Sequence, residues 1–110
     1  NLIKESLKLN EIVNNREYIT DISNKCKERN IEVILICTPL HSSYFDNIDK
    51  EYVKDRNEFC NSFANEFDNV SFYDFSDDKR FSEDDFYDFN HLNENGAKKF
   101  TMILNNITKL

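Results

Sequence analysis

Apolar residues recur at helical spacing through the first thirty residues. Ile12, Ile19, Ile22 and Cys26 fall on one stripe, with Glu11, Arg16, Lys25 and Glu28 around the other faces. The pattern predicts a helix, and Asn30 is its predicted stop because asparagine tolerates the left-handed cap conformation. The period then changes. Ile31-Glu32-Val33-Ile34-Leu35-Ile36-Cys37-Thr38 is the strongest strand signal, apolar without a break from Val33 to Cys37 and rich in β-branched residues. Such a run predicts a parallel strand buried on both faces, and Pro39 ends it. Residues 40–48 read as a loop. A second amphipathic helix is predicted from about Asp49 to Phe67, with Tyr52, Arg56, Phe59, Cys60, Phe63 and Phe67 on one side. Val70 to Phe75 is a weaker strand, and Ser76 to His91 an acidic, aromatic-studded loop. Asn93 then caps a last helix whose predicted buried side carries Ala97, Phe100, Ile103, Leu104 and Ile107.

Helices alternating with strands predict an α/β fold, a parallel sheet covered by helices on both faces. The parallel strands lie near 31–38 and 70–75. Two strands alone are marginal, and one as apolar as Ile31–Thr38 needs neighbours. Residues 1–110 therefore read as a single domain or as the C-terminal part of a larger α/β domain, completed by another chain or by self-association along an exposed sheet edge. A start at Asn1 rather than Met fits an excerpt or a processed product.

Composition narrows this further. Hydrophobic residues make up 39% of the 110-residue chain and aromatics 14%, enough to fold, while a single Gly and a single Pro argue against a turn-rich β-sandwich or barrel. A net charge of −7 argues against nucleic acid or an anionic membrane as partner. The acidic run from Asp74 to Asp88 reads as a solvated loop, since the EF-hand spacing with its glycine is missing. Cys26, Cys37 and Cys60 fall in apolar patterns with no Cys-x-x-Cys spacing and read as small core residues. No apolar run approaches the ~18 residues of a membrane span and no signal-peptide pattern is present, which leaves localisation open.

Candidate chemistry follows from position. In doubly wound sheets, ligands bind outside the carboxyl ends of the strands, and the two loops leaving strand ends, Thr38–Asn47 and Ser76–Asn93, carry the chain's two histidines. Asp88-Phe89-Asn90-His91 places a carboxylate three residues before an imidazole. In acyl transfer a histidine takes the serine hydroxyl proton and returns it to the leaving group, while a carboxylate on the other ring nitrogen fixes the tautomer. The alternative is a structural pair in which Asp88 caps or accepts from a backbone amide. The only glycine, Gly96, stands in the first turn of the last helix, where glycine costs about 0.5–1 kcal/mol relative to alanine; it predicts close packing that leaves no room for a side chain. Ser42 and Ser43 follow His41, but neighbouring residues rarely aim their side chains at each other and no Gly-x-Ser-x-Gly elbow surrounds them, so they read as loop residues. His41, His91 and the acidic loop show no recognisable metal-ligand spacing. The aromatic cluster at Phe72, Tyr73, Phe75, Phe81, Phe86, Tyr87 and Phe89 reads as packing more readily than as a sugar-stacking platform.

The segment YDFNHLNENGAKKFT resembles the last conserved block of the bacterial SGNH (GDSL-type) hydrolase superfamily, where Asp-x-x-His precedes the final helix. VILICTPLHSSY resembles the central strand and following loop of the branch containing DltD-type D-alanyl transfer proteins and polysaccharide O-acetylation proteins. The resemblance covers roughly residues 31–105. It implies a three-layer αβα flavodoxin-like fold, Asp88 as orienting acid and His91 as catalytic base, with Pro39, His41 and Tyr44 near a substrate pocket. It implies no cofactor, an ester or acylated cell-envelope carbohydrate as substrate, and a cell-envelope or extracytoplasmic location. The superfamily's Gly-Asp-Ser nucleophile block, oxyanion glycine and Gly-x-Asn-Asp block are absent. The expectation is the Asp–His part of a serine esterase or acyltransferase site, inactive alone. The alternative is a non-catalytic binding or assembly module with the same fold.

Overall fold

The computed structural model describes residues 9–108, with side chains from Asn15 onward. The elements run α1 (Leu9–Glu28), β1 (Val33–Cys37), α2 (Ser42–Phe45), α3 (Lys50–Glu66), β2 (Val70–Asp74), a 3-10 turn (Glu83–Asp85) and α4 (Glu94–Thr108). β1 and β2 pair in parallel, so the chain is α/β with a two-stranded sheet. The described residues divide into two compact units, one of residues up to 36 with 48–74 and one of residues 37–47 with those from 75 onward.

In the first unit, α1 stops where asparagine allows. Asn30 has φ 57°, its amide donates to Lys27 O, and Ile31 N donates to Cys26 O at 2.8 Å. These two bonds close a Schellman motif and satisfy the last carbonyls. The buried seam differs from the predicted stripe. Ile22 is 54% exposed and Ser23 is fully buried, while Ile19 and Cys26 are half-buried; Ile12 and Glu11 lie outside the residues whose side chains are described. Arg16, expected on an outer face, lays its guanidinium over Phe63 and Phe59, 4.9 and 5.3 Å from the ring centroids, and donates to Ser62 Oγ at 3.0 Å. The inner positions are therefore 16, 19, 23 and 26. A serine in that seam leaves space for Asn69, whose Nδ2 donates to Ser23 O and Ile31 O.

Asp49 caps α3 by accepting from Glu51 N. The predicted apolar side of α3 faces the core, where Phe63, Phe67 and Val70 are buried and Ile19, Val33, Leu35 and Phe59 pack around them. β1 departs from the expectation of burial on both faces. Val33 and Leu35 turn toward this core, whereas Ile34 is 37% exposed, because a two-stranded sheet with one packed face leaves alternate positions uncovered.

In the second unit, Phe75 N donates to Cys37 O at 2.9 Å and Leu40 N to Ser76 O at 3.3 Å, holding the two segments side by side. Phe75 is buried and meets Phe100 of α4 edge-to-face at 5.1 Å, with Phe81 on the same ring at 6.0 Å. Residues 40–48 are not all loop, since His41 caps the single turn of α2. On α4, Phe100, Ile103, Leu104 and Ile107 are half-buried as expected, but Ala97 is exposed; the residue buried in the first turn is Gly96. A Cβ at Gly96 would collide with the Asp85 carbonyl oxygen and press Leu92 Cδ2 at 3.0 Å. The close packing expected of this glycine is thus contact with backbone, which cannot rotate away.

Gly96→Ala should consequently destabilise the protein by about 1–3 kcal/mol through overpacking, although alanine is the better helix former by about 1 kcal/mol. Urea unfolding followed by circular dichroism checks this; a variant as stable as the wild type would show that the carbonyl yields.

Candidate functional site

The candidate site is built on a short hairpin entering α4. Phe86 and Leu92 form an antiparallel bridge, and Tyr87 N donates to His91 O at 2.9 Å. The tip is Asp88-Phe89-Asn90-His91. Asp88 Oδ1 accepts from Asn90 N at 3.1 Å, an Asx turn. The same carboxylate receives His91 Nδ1, at 2.8 Å to Oδ1 and 3.0 Å to Oδ2. Asp88 therefore does both things the sequence left open: it accepts from a backbone amide and it pairs with the imidazole. An ionised carboxylate can only accept, so Nδ1 carries the proton and the neutral ring keeps its lone pair on Nε2. That nitrogen makes no hydrogen bond among the described residues. The pair is open to solvent, with side-chain exposures of 68% for His91 and 45% for Asp88.

Asn93 joins hairpin to helix. Its Oδ1 accepts from Gly96 N at 2.9 Å, the predicted cap, and its Nδ2 donates to Asp84 O at 2.7 Å. Its own amide donates to Asp85 O at 2.9 Å, the same oxygen that crowds Gly96. Beneath lies a buried carboxylate. Asp85 Oδ2 accepts from Lys99 Nζ at 2.6 Å and from Ser82 N at 2.9 Å, and Lys99 also donates to Arg80 O over the Phe81 ring.

The other predicted residues lie in the same unit. Pro39 is fully buried. Tyr44 is half-buried and donates its amide to His41 O. His41 lies along the hairpin: its amide donates to Phe89 O at the tip, at 2.9 Å, and its ring meets Phe86 and Phe89 edge-on at 5.6 and 6.2 Å. One contact was missed. Ser43 Oγ lies 2.8 Å from His41 Nδ1, because α2 begins at Ser42 and the turn folds Ser43 back over its cap. Histidine two residues before serine at a helix start was the available signal. Among the described residues, no group of three His, Cys, Asp or Glu side chains could hold a metal ion.

The model of an uncharacterised family matches residues 2–109. The chain belongs to that family. No curated protein and no solved structure matches it. The family match covers the hairpin, the α4 start and both histidines, and attaches no activity to them.

Local charge supports the hairpin. Hydrogen bonding from His91, aided by Asn90 N, holds the Asp88 carboxyl below its usual value. Asp85 is likewise held below its ordinary 3.8, first by the Lys99 hydrogen bond and then by the Ser82 amide. A carboxyl whose pKa is depressed on folding stabilises the fold above its unfolded pKa, and that contribution is lost as the pH falls through the folded value. Asp85→Asn should cost about 1–2 kcal/mol near neutral pH, the smaller end of the range for charged hydrogen bonds because Lys99 is 39% exposed. The gap between wild type and variant should hold steady above about pH 4 and close below it. Urea unfolding from pH 6 to pH 2 measures it, and a gap independent of pH would contradict the role given to the ion pair.

Proposed function

We propose that this chain supplies the Asp–His part of an SGNH-type serine esterase or acyltransferase site. In this reading His91 acts as general base and then as general acid. Asp88 orients it and stabilises the imidazolium, and the nucleophilic serine is supplied by a half of the site that this chain does not contain. The observation that carries the reading is a carboxylate on Nδ1 with Nε2 left, among the described residues, without a hydrogen bond, the arrangement a base needs to accept a hydroxyl proton. An ester or acylated cell-envelope carbohydrate is the substrate class, and no cofactor enters. The three-layer flavodoxin-like arrangement belongs to the same proposal. In it the exposed Ile34 on an otherwise half-buried strand would be covered by a helical layer on the open face, and the sheet edges would pair with further strands or by self-association.

Solvent exposure favours a second reading. Preorganised acyl-transfer sites gain most where water is excluded, and here Tyr87 and Phe89 beside the pair are 83% and 62% exposed. A non-catalytic docking hairpin, with Asp88 and His91 bracing its tip, accounts for that.

An activated-ester assay on the protein together with its flanking segments separates the two. His91→Ala should lower kcat/KM by about 10³-fold or more while the circular dichroism spectrum stays unchanged. The chain alone should give no sustained turnover of p-nitrophenyl acetate above the buffer rate. Equal rates for wild type and variant would remove the catalytic role and leave the docking hairpin.

A further inference from the structure

Ser43, His41 and Glu83 form a second chemical grouping in the unit of residues 37–47 and 75–110. Ser43 N donates to His41 Nδ1 at 3.1 Å, which requires Nδ1 to be unprotonated, so the ring's proton resides on Nε2. Nδ1 is therefore an acceptor, and the Ser43 hydroxyl 2.8 Å away donates to it. On the far side of the ring, Glu83 Oε1 lies 4.0 Å from Nε2. His41 is held in place by burial, its side chain 19% exposed, by its backbone bond to Phe89 O and by the two phenylalanine rings on its edges. Ser43 is exposed. The result is a hydroxyl facing solvent, hydrogen-bonded to an oriented neutral imidazole, with a carboxylate beyond. Those are the parts of an activated nucleophile, with the ring nitrogens used in the opposite order from His91.

We infer that Ser43 is an acyl-accepting nucleophile with His41 as its base, independent of the Asp88–His91 pair. Ser43 Oγ attacks the carbonyl carbon of an activated ester or thioester, and its proton passes to the single lone pair of His41 Nδ1, which releases its hydrogen bond from Ser43 N as it does so. The acyl–leaving-group bond then breaks and the leaving group departs, taking the proton from His41 where its basicity demands one. Glu83 stabilises the imidazolium formed in between. The product is an ester of Ser43, whose own leaving group would be an alkoxide. Loss of that acyl group to water is therefore slower than its arrival from a nitrophenyl ester, and one acyl group accumulates per chain without sustained turnover.

A purely structural His41, serving only to cap α2, predicts none of this, and the two can be told apart on the intact chain. The probe is p-nitrophenyl acetate, with acetylation of each serine quantified by peptide mass spectrometry. Ser42, also exposed but with no imidazole contact among the described residues, is the internal reference. Ser43 should be acetylated about 10²-fold faster than Ser42, the scale of general-base assistance. Asparagine is a strong helix cap but no base, so His41→Asn should keep α2 while lowering Ser43 acetylation to the Ser42 rate, and Ser42→Ala should leave Ser43 acetylation unchanged. Wild-type Ser43 reacting no faster than Ser42 would overturn the inference without recourse to any variant. So would a His41→Asn chain acetylated on Ser43 at the wild-type rate.

Discussion

The approach of the Asp85 carbonyl to Gly96 is the constraint on which the second unit depends. That oxygen lies too close to Gly96 for a Cβ to fit beside it, and it accepts from Asn93 N. The Asn93 side chain meanwhile caps α4 and ties down Asp84. The start of the helix, the 3-10 turn and the base of the hairpin are thereby fixed to one another through backbone groups, which have little freedom to adjust. The Lys99–Asp85 pair reinforces the joint from below. What remains mobile in principle is the tip, and there Asp88 restrains it by accepting from both Asn90 N and His91 Nδ1. Backbone contact, cap and ion pair form a graded series, rigid at the helix and open to water at the imidazole.

The regular elements were legible because their signals are local. Asn30 as a left-handed stop, the apolar run at Val33–Cys37, the α3 side centred on Phe63 and the Asn93 cap each follow from backbone preference or periodicity. Gly96 was legible as a close contact, but its partner was not, since nothing in the spelling of the chain says that the Asp85 carbonyl comes back to it. Burial was harder to read. Ser23 takes the inner position that Ile22 was expected to hold, because Asn69 needs a small neighbour. Arg16 covers two phenylalanines with a charged group that periodicity assigns to solvent. At the candidate site the Asp88–His91 pair was legible from its place just before the last helix, beside Gly96, and from the resemblance of that block; its three-residue spacing alone says little. The Ser43–His41 contact was not, because it exists only if residues 42–45 form a helical turn, and a four-residue helix leaves almost no periodic signature.

The two histidines are used in opposite senses. His91 donates a hydrogen bond from Nδ1 to a carboxylate and leaves Nε2 without one among the described residues; His41 accepts from two groups of Ser43 on Nδ1 and turns Nε2 toward Glu83. Chemistry at either ring requires that its neighbours hold one tautomer, and the two sets of neighbours select different ones. Both sets hang on the same hairpin, since Phe89 contributes its carbonyl and ring to His41 while its neighbour Asp88 holds His91.

A long-range proton–nitrogen correlation spectrum of the histidine side chains, recorded where both imidazoles are neutral, tests this arrangement most directly. The chain has only two histidines, so assignment needs one substitution. The structure predicts one ring protonated at Nδ1, lost in His91→Ala, and one protonated at Nε2, lost in His41→Asn. Two rings protonated at the same nitrogen, or two averaging between both forms, would contradict it.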